Sequence, residues 1–430
     1  MSSAASENQS PELSPSHRVS SPSSSPISSP FRPVDDRSTL DTEGDSSHEE
    51  KPPSKKPKAT HWARDVSAYD ILGPIGEGTY GKVWKAKEPG SELVVALKMI
   101  KATDKEGKSC DGGFPITSIR EIRILRSLTH DNIVELLEVV TDSHGKVEDG
   151  KQGDVYMAFE YLEYDLWALA NSSQVNLTAV HIKTYMKQML DAIAYMHTNK
   201  VMHRDLKLAN LLIGANGRLK VGDWGLARSF HDNQRHHTPT VITLWYRPPE
   251  VLLRTTRYGP AVDMWSVGCI LAELLYESPI LPGTQEQEQL NLIYSLCGTP
   301  TDESWPDRAE LPDWSLYAKA AEDQRPRSIT SKFRFDRLGV DLVDKLLTLD
   351  PTKRLSAAEA LDHPYFWRDP RVVKPSALSR FTVQSCHEFE VKLVKEKDRA
   401  KRKEAEAKVQ EVRAAANRPS EPEIKPSDRW

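Results

Sequence analysis

The chain is poor in features that mark several common classes of protein. Cysteine is scarce: 4 in 430 residues, at Cys110, Cys269, Cys297 and Cys386, with none of the spacings that metal ligands use. Such sparse thiols fit a reducing compartment, where they stay free. Long apolar runs are missing too. No window approaches the ~18 uninterrupted apolar residues of a membrane helix, and the best stretch, Val267–Tyr276, is broken by Glu273. The N-terminus is too polar for a secretory signal. Nor does one charge dominate: 58 Lys and Arg face 62 Asp and Glu, a net of −4. Neither a membrane partner nor direct nucleic-acid binding is therefore expected.

What is present is unevenly distributed. Residues 1–65 are rich in Ser and Pro and short of large apolar side chains, so they read as a disordered tail. Ser-Pro pairs begin at Ser10, Ser14, Ser21, Ser25 and Ser29; they are either inert solvated positions or proline-directed phosphorylation sites. Lys51–Lys58 forms a basic cluster of the kind nuclear import receptors read. Residues 66–367 have globular composition. Apolar runs alternate with Gly turns through Ile71–Ile75, Val83–Ala86 and Leu93–Ile100, which predicts a small antiparallel sheet. A helical pattern follows over Thr117–Leu128, and long helical patterns dominate afterwards, notably Val180–Asn199 and Ala261–Tyr276. Residues 368–430 turn polar again. Within them His387–Arg418 is rich in Ala, Glu, Lys and Arg, and predicts a charged, partly formed helix.

Chemistry concentrates at a few places. Gly76-Glu-Gly78-Thr-Tyr-Gly81-Lys-Val83 lies between two predicted strands, where a dinucleotide-binding unit would place a helix; it fits a phosphate-covering hairpin instead. Val94-Val-Ala-Leu-Lys98 predicts a strand carrying an inward lysine, which needs a carboxylate to position it. On the following helix Glu121, Leu125 and Leu128 share one face, so Glu121 points inward. Ile119 is about 200° away and faces outward, an apolar knob that invites a partner. Val201–Asn210 then brings Asp205 to deprotonate an acceptor hydroxyl, Lys207 to stabilise a transferring phosphoryl group and Asn210 to hold a metal. Asp223, in Gly222-Asp-Trp-Gly225, would hold the metal ions that bridge the phosphates.

Across roughly Tyr69–Trp367 these motifs resemble a eukaryotic protein kinase. Pro115-Ile-Thr-Ser-Ile-Arg-Glu121, Thr243-Leu-Trp-Tyr-Arg-Pro-Pro-Glu250 and Asp263-Met-Trp-Ser-Val-Gly-Cys269 resemble the cyclin-dependent kinases. The helix opening Pro115-Ile116-Thr117, the Arg-Pro-Pro-Glu ending and Ser385-Cys-His-Glu-Phe389 are similar to the transcriptional branch, which phosphorylates the C-terminal repeats of RNA polymerase II during elongation. The resemblance implies an α+β bilobal fold: a small β-rich N-lobe with one main helix (about 66–161) and a larger, mainly α C-lobe (about 162–367). It implies ATP and Mg2+ as cofactors, a nuclear location, and a cyclin of the K or T type as partner.

It also implies roles for individual residues. Ile75, Gly76, Gly78, Gly81, Val83, Ala96, Lys98 and Leu212 would surround the nucleotide. Phe159 would be the gatekeeper, Glu160-Tyr161-Leu162 the hinge, and Asp165 the neighbour of the ribose. Thr238 matches the activating phosphothreonine, received by Arg120, Arg204 and Arg228 and placed there by an activating kinase or by autophosphorylation. Val241, Ile242 and Arg247 match the pocket that accepts a proline after the target residue. Ile119 would contact the cyclin, and Glu250 would pair with Arg354. Thr79 and Tyr80 match inhibitory phosphorylation positions of the cell-cycle members.

Three positions depart from the family pattern. Trp224 replaces the usual Phe, Gly222 leaves the preceding position without a side chain and would loosen the segment, and Pro239 makes the Thr238 site itself Thr-Pro. A cell-cycle kinase and a catalytically dead cyclin-binding scaffold are the alternatives; the complete set of Lys98, Glu121, Asp205, Asn210 and Asp223 speaks against the second. A mitogen-activated-type kinase would carry a Thr-x-Tyr lip, and no Tyr lies between Asp223 and Thr243. For the tail, the simplest expectation is a solvated helix without a partner. The resemblance offers the other, with Cys386-His387-Glu388 folded back near the nucleotide.

Overall fold

A computed structural model describes residues 64–78, 81–100, 115–142, 154–230, 237–238, 241–317, 323–334, 336–384, 386–397, 399, 403 and 406. Thr79, Tyr80, Cys110, Pro239, Ser385 and the five Ser-Pro pairs lie outside them. Strands β1 (Asp70–Gly78), β2 (Gly81–Lys87) and β3 (Val94–Ile100) form a meander. Gly81 permits its tight turn: its φ is +151°, and a Cβ would lie 2.0 Å from the Met99 carbonyl oxygen of β3. Two strands that the apolar pattern above does not include, β4 (Leu136–Thr141) and β5 (Val155–Glu160), complete an antiparallel sheet in the order β1-β2-β3-β5-β4. Helix α1 (Ile116–Ser127) packs Ile124 and Leu125 into the core that also holds Met157 and Phe159 of β5.

Phe159 faces Ala96 across the ladder, and beyond β5 the chain passes Tyr161–Glu163 into β6 (Tyr164–Asp165) and the short α2 (Leu166–Ala170). The larger lobe is built on α3 (Ala179–Thr198). Strands β7 (Val201–Met202), β8 (Leu211–Ile213), β9 (Leu219–Val221) and β10 (Arg228–Ser229) carry the loops of the site. They pair as β6-β8-β9 and β7-β10. The short α4 (Pro249–Leu252), then α5 (Ala261–Tyr276) and α6 (Glu286–Cys297), follow. The molecule is thus bilobal, with a five-stranded antiparallel sheet in one lobe and helices dominating the other.

Helix α5 is the anchor of the larger lobe. It is buried from Val262 to Leu274, and its first turn places Asp263 under the loop that runs from His203 to Lys207. The Asp263 carboxylate accepts the backbone N–H groups of His203 (3.0 Å) and Arg204 (2.8 Å) and lies 2.9 Å from His197 Nε2. Those bonds hold Arg204 at φ +69°, a backbone region that costs a non-glycine residue about 1–3 kcal/mol. Nearby, Arg354 clamps Glu250 with two hydrogen bonds of 2.8 and 3.0 Å, both groups being buried.

Candidate active site

Between the sheet and the larger lobe lies a cleft of about 580 Å3. Its roof comes from β1, β2 and β3, through Ile75, Gly76, Gly81, Val83 and Ala96, and its floor from Leu212. Phe159 and Leu162 line the rear and the connecting strand. Gly222 explains part of the floor's shape: a Cβ there would lie 2.9 Å from Leu212 Cδ1. Far from loosening the segment, the missing side chain lets β9 and β8 close, with Gly222 N–H donating to Asn210 O at 2.8 Å.

Two polar clusters face each other across this cleft. In the upper one, Lys98 Nζ lies 2.8 Å from Glu121 Oε1 and 2.9 Å from Asp223 Oδ1. The periodicity of α1 delivers Glu121 inward, where its side chain is 3% exposed. Burial alone would lower the Lys98 ammonium, but the Asp223 and Glu121 carboxylates more than offset it and raise its pKa. Burial would likewise raise the Asp223 carboxyl, yet Lys98 wins and holds it at about 2. Burial keeps Glu121 above its usual range despite Lys98. Both carboxylates serve Lys98 as counter-ions at nearly equal distance.

In the lower cluster both carboxylate oxygens of Asp205 are engaged. Oδ1 accepts the Thr243 hydroxyl (2.8 Å) and the Thr243 N–H (3.3 Å). Oδ2 accepts Lys207 Nζ and Asn210 Nδ2, each at 3.2 Å, and Asn210 Nδ2 also reaches the Asp205 carbonyl at 2.7 Å. The carboxylate is thereby fixed in orientation before any substrate arrives. The Asn210 amide nitrogen is also used up, leaving its carbonyl oxygen as the group able to meet a cation. Thr243 carries this positioning, and the sequence pattern does not single it out; its signal is its place at the head of Thr243–Glu250.

A divalent cation suits this donor set. Asp223 and the Asn210 side-chain carbonyl are hard oxygen ligands that both line the cleft. Among the described residues no group of three His, Cys, Asp or Glu could hold a metal alone. Mg2+ is characteristically bound that way, through one or two protein oxygens together with substrate phosphates. Asp223 itself sits at φ +51° ahead of the turn Trp224–Leu226. Trp224 fixes that turn: it is 1% exposed, donates Nε1–H to Val221 O at 3.1 Å, and meets the His203 ring edge-on at 5.0 Å.

The positions that the sequence resemblance links to regulation are distributed more widely. Arg204 donates Nε–H to Leu226 O and Nη1–H to the Tyr258 hydroxyl, both at 2.8 Å, and Tyr258 in turn donates to Thr238 O at 2.8 Å. Arg204 is thus tied to Thr238 through Tyr258. Arg228 stands on β10 opposite Met202, and Arg120 precedes Glu121 on α1. Val241 and Ile242 line the cleft's outer end. The backbone there is constrained: Ile242, a β-branched residue, is held at φ +71°, and Arg247 donates Nη2–H (2.9 Å) and Nε–H (3.2 Å) to its carbonyl. Ile119 is 44% exposed and Ile116 72% exposed on the outer face of α1.

The tail corrects the simplest expectation. Residues 388–397 are helical, but their beginning is not a solvated helix without a partner. Cys386 forms an isolated parallel bridge with Tyr164, its N–H donating to Glu163 O at 3.0 Å. His387, Glu388 and Phe389 line the cleft, while Lys392 and Lys395 lie 5.5 and 5.8 Å from the Trp167 ring centroid. Asp165 is drawn into this contact. One of its oxygens caps α2 through Ala168 N–H (2.7 Å), and the other accepts Glu388 N–H. Burial pushes the Asp165 carboxyl up to about 7, and burial beside Lys85 brings His387 down to about 4.

A lysine–carboxylate pair under a glycine hairpin, opposed by an oriented Asp-Lys-Asn loop, is a phosphoryl-transfer arrangement. Comparison with known proteins agrees. The protein kinase domain family matches residues 69–366. Cyclin-dependent kinase C-1 of Arabidopsis thaliana is 48% identical over 347 residues, covering 79% of this chain and 67% of that protein. Human cyclin-dependent kinase 9 is 41% identical over 315 residues, covering 71% of this chain and 82% of its own. The chain belongs to the cyclin-dependent kinase family. Among solved structures, the yeast RNA Pol II CTD kinase CTDK-1 complex superposes with a TM-score of 0.65 at 38% identity, covering 76% of this chain and all of the matched one. The kinase spans 64–67% of the length of the plant cyclin-dependent kinases C-1 and C-2 it matches.

Proposed function

We propose that this kinase transfers the γ-phosphoryl group of ATP to Ser or Thr followed by Pro, in complex with a cyclin, and that its substrate is the C-terminal repeat region of RNA polymerase II in the nucleus. The observation that carries the catalytic part is the fully engaged carboxylate of Asp205. Held by Thr243, Lys207 and Asn210, it accepts the acceptor-hydroxyl proton as the oxygen attacks. Lys207 offsets charge on the transferring group, and Lys98, positioned by Glu121, binds the α- and β-phosphates. Asn210 and Asp223 would hold Mg2+, which would supply neutralising charge to the phosphates. Adenine lies between Val83 and Ala96 above and Leu212 below, beside Phe159, Glu160 and Leu162.

Proline selection follows from Ile242. Its carbonyl is consumed by Arg247, so a residue after the target would leave its N–H unpaired at a cost of about 1–3 kcal/mol. Proline has no N–H to lose. The RNA polymerase assignment is supported by the relatives named above and by the likeness to the yeast RNA Pol II CTD kinase complex. A K- or T-type cyclin is the partner for the Ile116–Ile119 face. Thr238 is the activating phosphosite, served by Arg204 with Arg120 and Arg228, and Thr79 and Tyr80 are inhibitory positions.

Asp205→Asn tests the mechanism. With K-type cyclin and a Ser-Pro heptad peptide, transfer should fall by roughly 10²–10⁴-fold, with ATP affinity changed less than about twofold. Transfer persisting near the wild-type rate would remove Asp205 from the role. Replacing the peptide's Pro by Ala checks the pocket, and capture of a cell-cycle cyclin from nuclear extract instead of a K or T type would overturn the transcriptional assignment.

A further inference from the structure

Tyr258 belongs to none of the motifs above, yet its hydroxyl stands where the catalytic loop meets the activation segment. It accepts Nη1–H from Arg204 and donates to the Thr238 carbonyl, each at 2.8 Å. A second tether runs alongside, from His237 N–H to Thr256 O at 2.7 Å, with the His237 and Tyr258 rings 5.0 Å apart. The Thr238 backbone is thereby held against the larger lobe while Thr238 itself remains exposed. At its other end the connection is equally firm. Arg204 donates to Leu226 O, and its own N–H is fixed by Asp263, one residue before the base Asp205.

We propose that Tyr258 is a positioning residue that holds the activation segment over Arg204 before Thr238 is phosphorylated. A phenol that joins a guanidinium to a main-chain carbonyl spans the gap that a phosphate on Thr238 would later bridge by charge. It gives the unphosphorylated kinase a partly assembled segment and lowers the ordering that phosphorylation must supply. The inference rests on the reading of Thr238 as the activating site.

The test uses the full chain with K-type cyclin in four forms: unaltered, Tyr258→Phe, Thr238→Ala, and both together. Phenylalanine keeps the ring and its packing, and an unchanged melting temperature would confirm that. Without phosphate on Thr238, Tyr258→Phe should lower kcat/KM on a Ser-Pro heptad peptide about tenfold, the worth of a charge-assisted hydrogen bond. Amide exchange of residues 237–246 should quicken by about the same factor in the chain alone, since its opening is governed by the same bond. With Thr238 fully phosphorylated, the loss in kcat/KM should be less than about threefold. Equal losses in both backgrounds, or unchanged amide exchange, would overturn the proposal. If Thr238→Ala has no effect on activity, the phosphosite reading fails, while the exchange measurement still decides whether Tyr258 holds the segment.

Discussion

Helices α1 and α5 both point a carboxylate at the site, but they are held in opposite ways. α5 is buried from Val262 to Leu274, and three of its inward polar groups are matched: Asp263 by the loop before Asp205, Ser266 by Tyr246 O at 2.9 Å, and Glu273 by the Tyr246 hydroxyl at 2.7 Å. α1 buries Ser118, Glu121, Ile124 and Leu125 along one face while exposing Ile116 and Ile119 on the other, and its N-terminus has no side-chain cap. A helix packed on one side only is set by whatever covers the other. The difference gives the two lobes different characters: the α5 side holds a fixed Asp205 carboxylate, and the α1 side holds Glu121, 2.8 Å from Lys98, on a helix whose outer apolar face is exposed.

The comparison breaks most severely if the anchoring on the α5 side proves dispensable. Arg354→Ala leaves Glu250 buried without its counter-ion, which should destabilise the chain by about 3–5 kcal/mol; denaturant unfolding would measure it, and a loss near zero would mean the pair is not structural. On α1 the effect should move from stability to association. Ile119→Asp should weaken cyclin binding by more than about tenfold, as loss of an apolar anchor does, while shifting the stability of the lone chain by no more than ~0.5 kcal/mol. Calorimetry on the two species separates these outcomes.

The smallest effect belongs to the tail, which sharpens the contrast by adding a third support near the hinge. Ending the chain after Gln384 removes the contacts of Cys386–Phe389 and should weaken ATP binding about threefold, roughly the worth of one modest contact. Its pH dependence has a defined sign. The folded-state pKa of His387 is depressed to about 4, so its contribution is present above its ordinary value of about 6.5 and is lost as pH falls toward 4. Asp165 is raised to about 7, so its contribution is present at low pH and lost as pH rises from about 4 through 7. The two oppose each other. In Asp165→Asn the opposing contribution is reduced to that of Glu390, whose carboxyl is also raised by burial, and the melting-temperature difference between full and shortened chains should shrink as pH first falls below about 6.5.

Local chemistry made much of this legible from sequence. The glycine hairpin is written in its own few residues, and the structure adds the reason Gly81 is needed there, a clash of any Cβ with β3. The inward turn of Glu121 follows from helical period alone. Strands β4 and β5 had a usable signal in Leu136–Thr141 and Val155–Glu160, but their runs are buried on both faces or interrupted by a bulge and lack clean alternation. Thr243 on Asp205, Tyr258 on Thr238 and Cys386 beside Tyr164 were not legible from pattern. Each joins residues 20 to more than 200 positions apart, and no periodicity records such meetings.

Trp224 has a consequence for ligand discovery. A compound that gains affinity by expelling this aromatic from its socket must break the indole bond to Val221 O and expose a ring now 1% accessible. Larger rings also sweep more volume on the way out. Such compounds should associate slowly with this kinase, whereas those that accept the inward ring meet no comparable barrier. Association rates, more than final affinities, would then distinguish the two chemotypes.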